Sequence, residues 1–341
     1  MKSAILFIYI FLNSIFVYTQ NSTGQVITEV IHSKALEHQV EDSPDRKVSI
    51  YLPPGYDMAI TRYPVIYYLH GFMSHSDIND QMKKILDTAI LMKKIKPFIF
   101  VIPDEFTTYE GSFYSNSSLT GNWIDFTAKE LVDYIDQHYK TLANKESRGL
   151  GGHSMGGYGT IRIGMMYPDV FGTMYALSPG LLALVKEFSP ESDSYKELSK
   201  IKTHEELNKT YYPKVIVAVA RAWSPNPDHP PFYCDLPFTY HGDSLITNQR
   251  ILDLWNRNLP TKMVDQYADN LKKYNGIKLD WGRNDFPRFH LQCMMLSQQM
   301  EKIGIEHYAE EYIGNHTNKL WTIDGRVLND FLPFFNDHLK F

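Results

Sequence analysis

Three short apolar runs decide what this chain can fold into. Pro64-Val-Ile-Tyr-Tyr-Leu-His70, Phe98-Ile-Phe-Val-Ile-Pro103 and Thr173-Met-Tyr-Ala-Leu177 do not alternate between apolar and polar residues. Strands read this way when both their faces are covered. Residues 26–31, 48–52, 277–281 and 306–313 read as further strands. Between these runs the pattern changes period. Residues 81–94, 123–139, 291–303 and 326–339 have helical spacing, with Phe126, Leu131, Tyr134 and Ile135 mainly on one face of the second. Strand–helix alternation of this kind specifies an α/β fold with a mostly parallel central sheet and helices on both faces. Of the 341 residues, 43% are hydrophobic and 21% charged, an ordinary globular balance that excludes a disordered chain. The 34 basic against 39 acidic residues give a net charge of −5 and no electrostatic reason to expect nucleic acid as a partner.

The first twenty residues stand apart. Lys2 is followed by an apolar run over residues 4–12 that resumes at 15–18 after Asn13-Ser14, and then by polar Thr19-Gln20-Asn21-Ser22. The run is shorter than the roughly 20 residues of a membrane-spanning helix. It reads as a signal peptide over 1–20, removed on export, which implies a secreted or periplasmic protein with no membrane span afterwards. An uncleaved N-terminal anchor is the alternative. Residues 21–341 then form one domain. Within it, about 180–263 break the strand–helix rhythm, with five prolines between Ser224 and Phe238 among Trp223, Phe232, Tyr233 and Phe238. That stretch is too long for an ordinary connection, and its aromatic content favours a packed cap insertion over disorder. Cys234 and Cys293 are the two cysteines, too few for a disulfide framework, and no Cys-x-x-Cys pattern suggests zinc. They read as unpaired, mostly buried thiols.

The chemistry centres on Gly152-His153-Ser154-Met155-Gly156. A G-x-S-x-G pentapeptide can be accidental, but here Gly149-Leu-Gly-Gly152 can end a buried strand, and Gly157 onward can open a helix. A nucleophile elbow needs that arrangement, with small neighbours so that helix and strand do not collide. The rival, a dinucleotide-binding turn, lacks its third glycine and a suitably placed acid. A serine hydroxyl needs a base and an orienting carboxylate, which follow it in the order acid, then histidine. Asp285 sits in the loop after the 277–281 strand, whereas Asp280 lies inside that strand and reads as structural. His316 lies in Gly314-Asn-His316-Thr after the next strand and is the proposed base, with His290 and His307 as competitors. Oxyanion donors are expected at the Met155 amide and at the Phe72 amide after His70-Gly71. Trp223, Phe232 and Tyr233 can stack on an aromatic acid or a sugar, or can equally be cap packing. No metal site and no cofactor is expected.

Tyr51-Leu-Pro-Pro-Gly-Tyr56, Tyr63-Pro-Val-Ile-Tyr-Tyr-Leu-His-Gly71, Gly121-Asn-Trp123, Gly152-His-Ser-Met-Gly-Gly157 and Gly314-Asn-His316 together resemble the putative-esterase (esterase D-like) family. That family includes S-formylglutathione hydrolases, feruloyl and acetylxylan esterases, enterochelin esterases and the antigen 85 mycolyltransferases. From about residue 48 to the C-terminus, the resemblance implies an α/β-hydrolase fold with Ser154, Asp285 and His316 as triad and Phe72 and Met155 as oxyanion donors. The expected protein is an exported serine carboxylesterase acting on a small-molecule or polysaccharide-linked ester, feruloyl or acetyl esters among them. An acyltransferase using the same triad, a formylglutathione-type thioesterase and a non-catalytic binding module are the alternatives.

Overall fold

The computed structural model describes residues 23–38, 41–285 and 288–341; the leader read over 1–20 lies outside them. Eight strands form the central sheet: β1 (Gln25–His32), β2 (Asp45–Leu52), β3 (Val65–Leu69), β4 (Ile99–Pro103), β5 (Arg148–His153), β6 (Thr173–Leu177), β7 (Gly276–Gly282) and β8 (Tyr308–Tyr312). Their spatial order is β1-β2-β4-β3-β5-β6-β7-β8. The pairs β1/β2 and β2/β4 are antiparallel, and every pair from β4 to β8 is parallel. Each strand that read as a continuous apolar run, β3, β4 and β6, is buried at every position.

That burial needs cover on both faces, and the helices supply it. One face carries α1 (Asp80–Leu91) and the C-terminal helix α6 (residues 327–338), whose Ile85, Leu86, Phe331 and Phe335 pack with Ile66, Phe100 and Tyr175 of the sheet. The other carries α2 (residues 123–138) and α3 (Met155–Met166), whose Trp123, Phe126, Ile161 and Ile163 pack with Tyr67, Leu150 and Met174. Side chains alternate along a strand, so neighbours such as Ile66 and Tyr67 fall into opposite clusters. Last comes α5 (Phe289–Lys302), between β7 and β8.

Between β6 and β7 lies the irregular stretch. It holds several short helices, the helix α4 (Tyr212–Trp223) and a hairpin of two strands, Phe238–His241 and Ser244–Thr247, paired with each other and not with the main sheet. Helix α4 is buried along almost its whole length, because residues from Val215 to Ala220 are apolar on every side. The hairpin and most of the short helices were not apparent in the sequence. Cys234 and Cys293 are unpaired thiols, and burial pushes the Cys234 thiol up to about 12.

Candidate active site

All the loops that matter leave the sheet at the C-terminal ends of parallel strands. At the end of β5 the chain turns sharply through Ser154, whose φ of 60° and ψ of −115° lie outside the regions an L-residue ordinarily occupies. Such a conformation costs on the order of 1–3 kcal/mol and persists only where its surroundings over-determine it. Here the Ser154 amide donates to the Leu177 carbonyl at the end of β6 (3.1 Å), while the Ser154 carbonyl accepts from Tyr158 (2.9 Å) and Gly180 (3.1 Å). Glycines allow the crossing. A Cβ on Gly156 would lie 1.8 Å from the Leu69 carbonyl oxygen, and one on Gly152 would lie 2.6 Å from that same oxygen. Helix α3 therefore starts pressed against the end of β3, and only glycine fits at the contact.

His316 comes from the loop after β8. Its Nδ1 lies 3.0 Å from both carboxylate oxygens of Asp285, which sits in the loop after β7 with its side chain fully buried. The imidazole remains partly open and, with Ser154, lines a cavity of about 550 Å³. Asp280 does something else. It is buried inside β7, where it accepts from Arg326 (2.6 Å), from the Tyr175 hydroxyl (2.9 Å) and from the Ser178 amide (3.0 Å). Its burial raises its pKa in spite of the arginine. The competing histidines are also elsewhere: His307 bonds Ser297 (2.8 Å) and the Ile305 carbonyl (2.9 Å), and His290 stands in the first turn of α5.

Two buried histidines that the sequence reading left without a role hold the site's backbone. His153 donates from Nε2 to the His316 carbonyl (2.8 Å), and the two rings lie 4.6 Å apart. Burial, reinforced by the neighbouring His316, holds the His153 pKa well below the usual imidazole value, so it is a neutral donor. A clue was available: His153 is the variable residue that precedes the serine in the pentapeptide. His70 donates from Nδ1 to the Gly71 carbonyl (2.9 Å), while its Nε2 accepts from the Glu105 amide (2.8 Å). Burial lowers its pKa to about 4, which keeps that tautomer neutral. The Gly71 carbonyl also accepts from Ser74 (3.2 Å). Because a trans peptide points its C=O and N–H in opposite directions, the Phe72 amide is turned away from both donors. Phe72 and Met155 line the smaller cavity that adjoins Ser154.

The structure does not bring the three cap aromatics to this place. Trp223 is buried in the insertion, packed against Tyr158 and Trp255, with its indole N–H donating to Ser115 (3.0 Å). Phe232 lines a separate pocket with Pro230, Cys234 and Leu236, and Tyr233 is 37% exposed. None of the three lines either cavity at Ser154; Trp223, at the C-terminal end of α4, is turned into the insertion's packing. The aromatic rings that line the smaller cavity at Ser154 are instead Phe72, Phe113, Phe188, Tyr211, Tyr212 and Phe289.

A mostly parallel sheet with a sharp serine turn at the end of β5 and a buried carboxylate–imidazole pair after β7 and β8 is the α/β-hydrolase fold. The chain belongs to the putative esterase family, whose model matches residues 43–324. It is 34% identical over 140 residues to an endo-1,4-beta-xylanase/feruloyl esterase of Xylanibacter ruminicola, covering 39% of this chain and 19% of that one. It is 31% identical over 146 residues to an esterase of Mycobacterium tuberculosis, covering 41% and 30%. The chain thus spans less than a third of the length of these relatives. Among solved structures, a ferulic acid esterase superposes with a TM-score of 0.64 at 18% identity, covering 93% of this chain and 99% of the other. An S-formylglutathione hydrolase from Staphylococcus aureus superposes at 0.58 and 15%, covering 92% and 99%. These likenesses carry the fold.

Proposed function

We propose that this protein hydrolyses carboxylic esters through an acyl-enzyme on Ser154. His316 removes the Ser154 proton as the hydroxyl attacks the ester carbonyl, and Asp285 holds the imidazole in the required tautomer. The Phe72 and Met155 amides receive the oxyanion, the second at the positive end of α3. His316 then passes its proton to the departing alcohol, and water, deprotonated by the same imidazole, cleaves the acyl-enzyme. The scheme calls on no metal or organic cofactor. The observation that carries it is the 3.0 Å contact between His316 and the buried Asp285, with His316 opening to the same cavity as the strained Ser154.

The substrate reading goes further. Feruloyl or acetyl esters carried by polysaccharides fit a family member with a relative named as a xylanase and feruloyl esterase, and the apolar leader at residues 4–18 supports export to where such polymers lie. A fluorophosphonate probe tests the mechanism. The folded protein should be labelled at Ser154, and a hydrolysable aryl ester should slow that labelling; a protein that stays unlabelled is no serine esterase.

A further inference from the structure

Two cavities meet at Ser154, and they differ in size and chemistry. The larger, about 550 Å³, is walled by His316 and Thr317 and by rings and polar groups that include Tyr68, Trp321, Asp77 and Asn79. The smaller holds only about 30 Å³ and is walled by Phe113, Leu181, Phe188, Tyr212, Val215 and Phe289, with Met155 at the serine. His316 is not among the described residues that line it. Phe72 and Tyr211 border both cavities, and their rings meet edge to face at 6.4 Å, forming a ridge over the serine.

We infer that this ridge divides the ester at its carbonyl, admitting only an acetyl-sized acyl group on one side and a bulky, hydroxyl-rich alcohol on the other. The inference rests on the serine mechanism proposed above and narrows its substrate. The direction follows from the proton. When the tetrahedral intermediate collapses, the bond from the acyl carbon to the alcohol oxygen breaks, and that oxygen must take the proton His316 carries. The alcohol therefore leaves through the cavity His316 lines. The acyl group remains bonded to the Ser154 oxygen and occupies the cavity that touches Ser154 and the oxyanion donors without touching His316.

Size then selects. A water-sized group needs on the order of 10–15 Å³, so the acyl side accommodates a methyl group and little more. It has no room for the vinyl-linked ring of a feruloyl arm. Its walls do not yield easily, since Phe113, Leu181 and Phe188 are each at most 3% exposed, and Phe113 is braced against Tyr158. The alcohol side has the opposite character. Partly buried Trp321 offers a ring face, backed edge-on by the buried Tyr68, while Ser74, Asp77, Asn79 and Thr317 surround it with hydrogen-bonding groups. A ring face beside carboxylate, amide and hydroxyl groups suits a sugar ring.

A panel of p-nitrophenyl acetate, butyrate and ferulate tests the acyl side, because the alcohol is constant. Acetate should exceed ferulate by about 100-fold or more in kcat/KM, and Tyr211→Ala should raise the ferulate-to-acetate ratio about tenfold by lowering the ridge. Tyr211 is 53% exposed, so its truncation does not threaten the fold. On the alcohol side, an acetylated xylo-oligosaccharide should be turned over with higher kcat/KM than ethyl acetate. Ferulate cleaved as fast as acetate by a protein whose Ser154 takes the fluorophosphonate label would overturn the partition alone, as would indifference to the sugar. An unlabelled Ser154 with no hydrolysis of any ester overturns the mechanism and the partition together.

Discussion

The turn at Ser154 and the insertion between β6 and β7 both border the smaller cavity, and they are built on different principles. The turn is made by the backbone: Gly152 and Gly156 let α3 approach β3 to distances no side chain survives, and hydrogen bonds to the Leu177 carbonyl and from the Tyr158 and Gly180 amides lock the serine's dihedrals. The insertion is made by side chains. Its helices meet through Trp223, Trp255, Tyr195 and Phe238, and none of its residues joins the main sheet. Position is held to fractions of an ångström where chemistry needs it, and left to exchangeable packing where only shape is required. If that contrast is right, damage to the turn and its partners should remove turnover, and damage to the insertion should change rates modestly or touch stability alone.

The sharpest way to break the contrast is Ser154→Ala. It should cost on the order of 10⁴-fold or more in kcat with an unfolding midpoint held or raised, because it removes the nucleophile without opening a cavity. Retained turnover of a simple aryl ester would refute the mechanism. Asp285→Asn should cost a comparable order through loss of the imidazole tautomer. Asp280→Asn, which unpairs buried Arg326, should instead lower stability by about 3 kcal/mol. Equal effects of the two on a folded protein's kcat would mean that the acid has been misassigned. Gly156→Ala comes next, at about 3 kcal/mol or more of destabilisation, since the clash is with backbone that cannot move aside. Chemical denaturation measures it, and a loss below 1 kcal/mol would show the crossing to be loose.

The same residues define a pH window. His70 has a folded pKa near 4 against an ordinary value of 6.5, so the unfolded chain binds the extra proton and stability falls as pH drops from about 6.5 toward 4. Buried Glu105, bonded to Ser112 and Thr127, is raised by burial to about 8 from 4.5. There the folded state holds the extra proton, and its stabilisation fades as pH rises from about 4.5 through 8. Melting temperatures of wild type and Glu105→Gln across that range should diverge on the alkaline side; parallel curves would refute the assignment. The smallest effect belongs to the insertion. Tyr233→Ala, at an exposed site that lines neither cavity at Ser154, should leave kcat/KM unchanged and shift stability by no more than about 0.5 kcal/mol.

The contrast also explains what could be read in advance. Strands β3, β4 and β6 and the helix after Ser154 were visible because continuous burial and close packing restrict residue type: apolar where both faces are covered, glycine where backbones touch. Ser154, Asp285 and His316 could be placed because each follows a strand end. The insertion was opaque. Prolines and aromatics announced a packed cap, yet nothing local distinguished Trp223, which turns inward, from Tyr211, which borders the cavities. His70 and His153 were overlooked as positioning groups for a related reason: their work is done on carbonyls, and a hydrogen bond to backbone leaves no trace in the partner's residue type.

The walls of the smaller cavity have an inheritance of their own. Leu181, Phe188 and Val215 lie in one contiguous length of chain, as does the rim residue Tyr211, whereas Phe113 and Phe289 come from outside it. Exchanging that one stretch recuts part of the cavity's wall and leaves the ladder of parallel strands untouched.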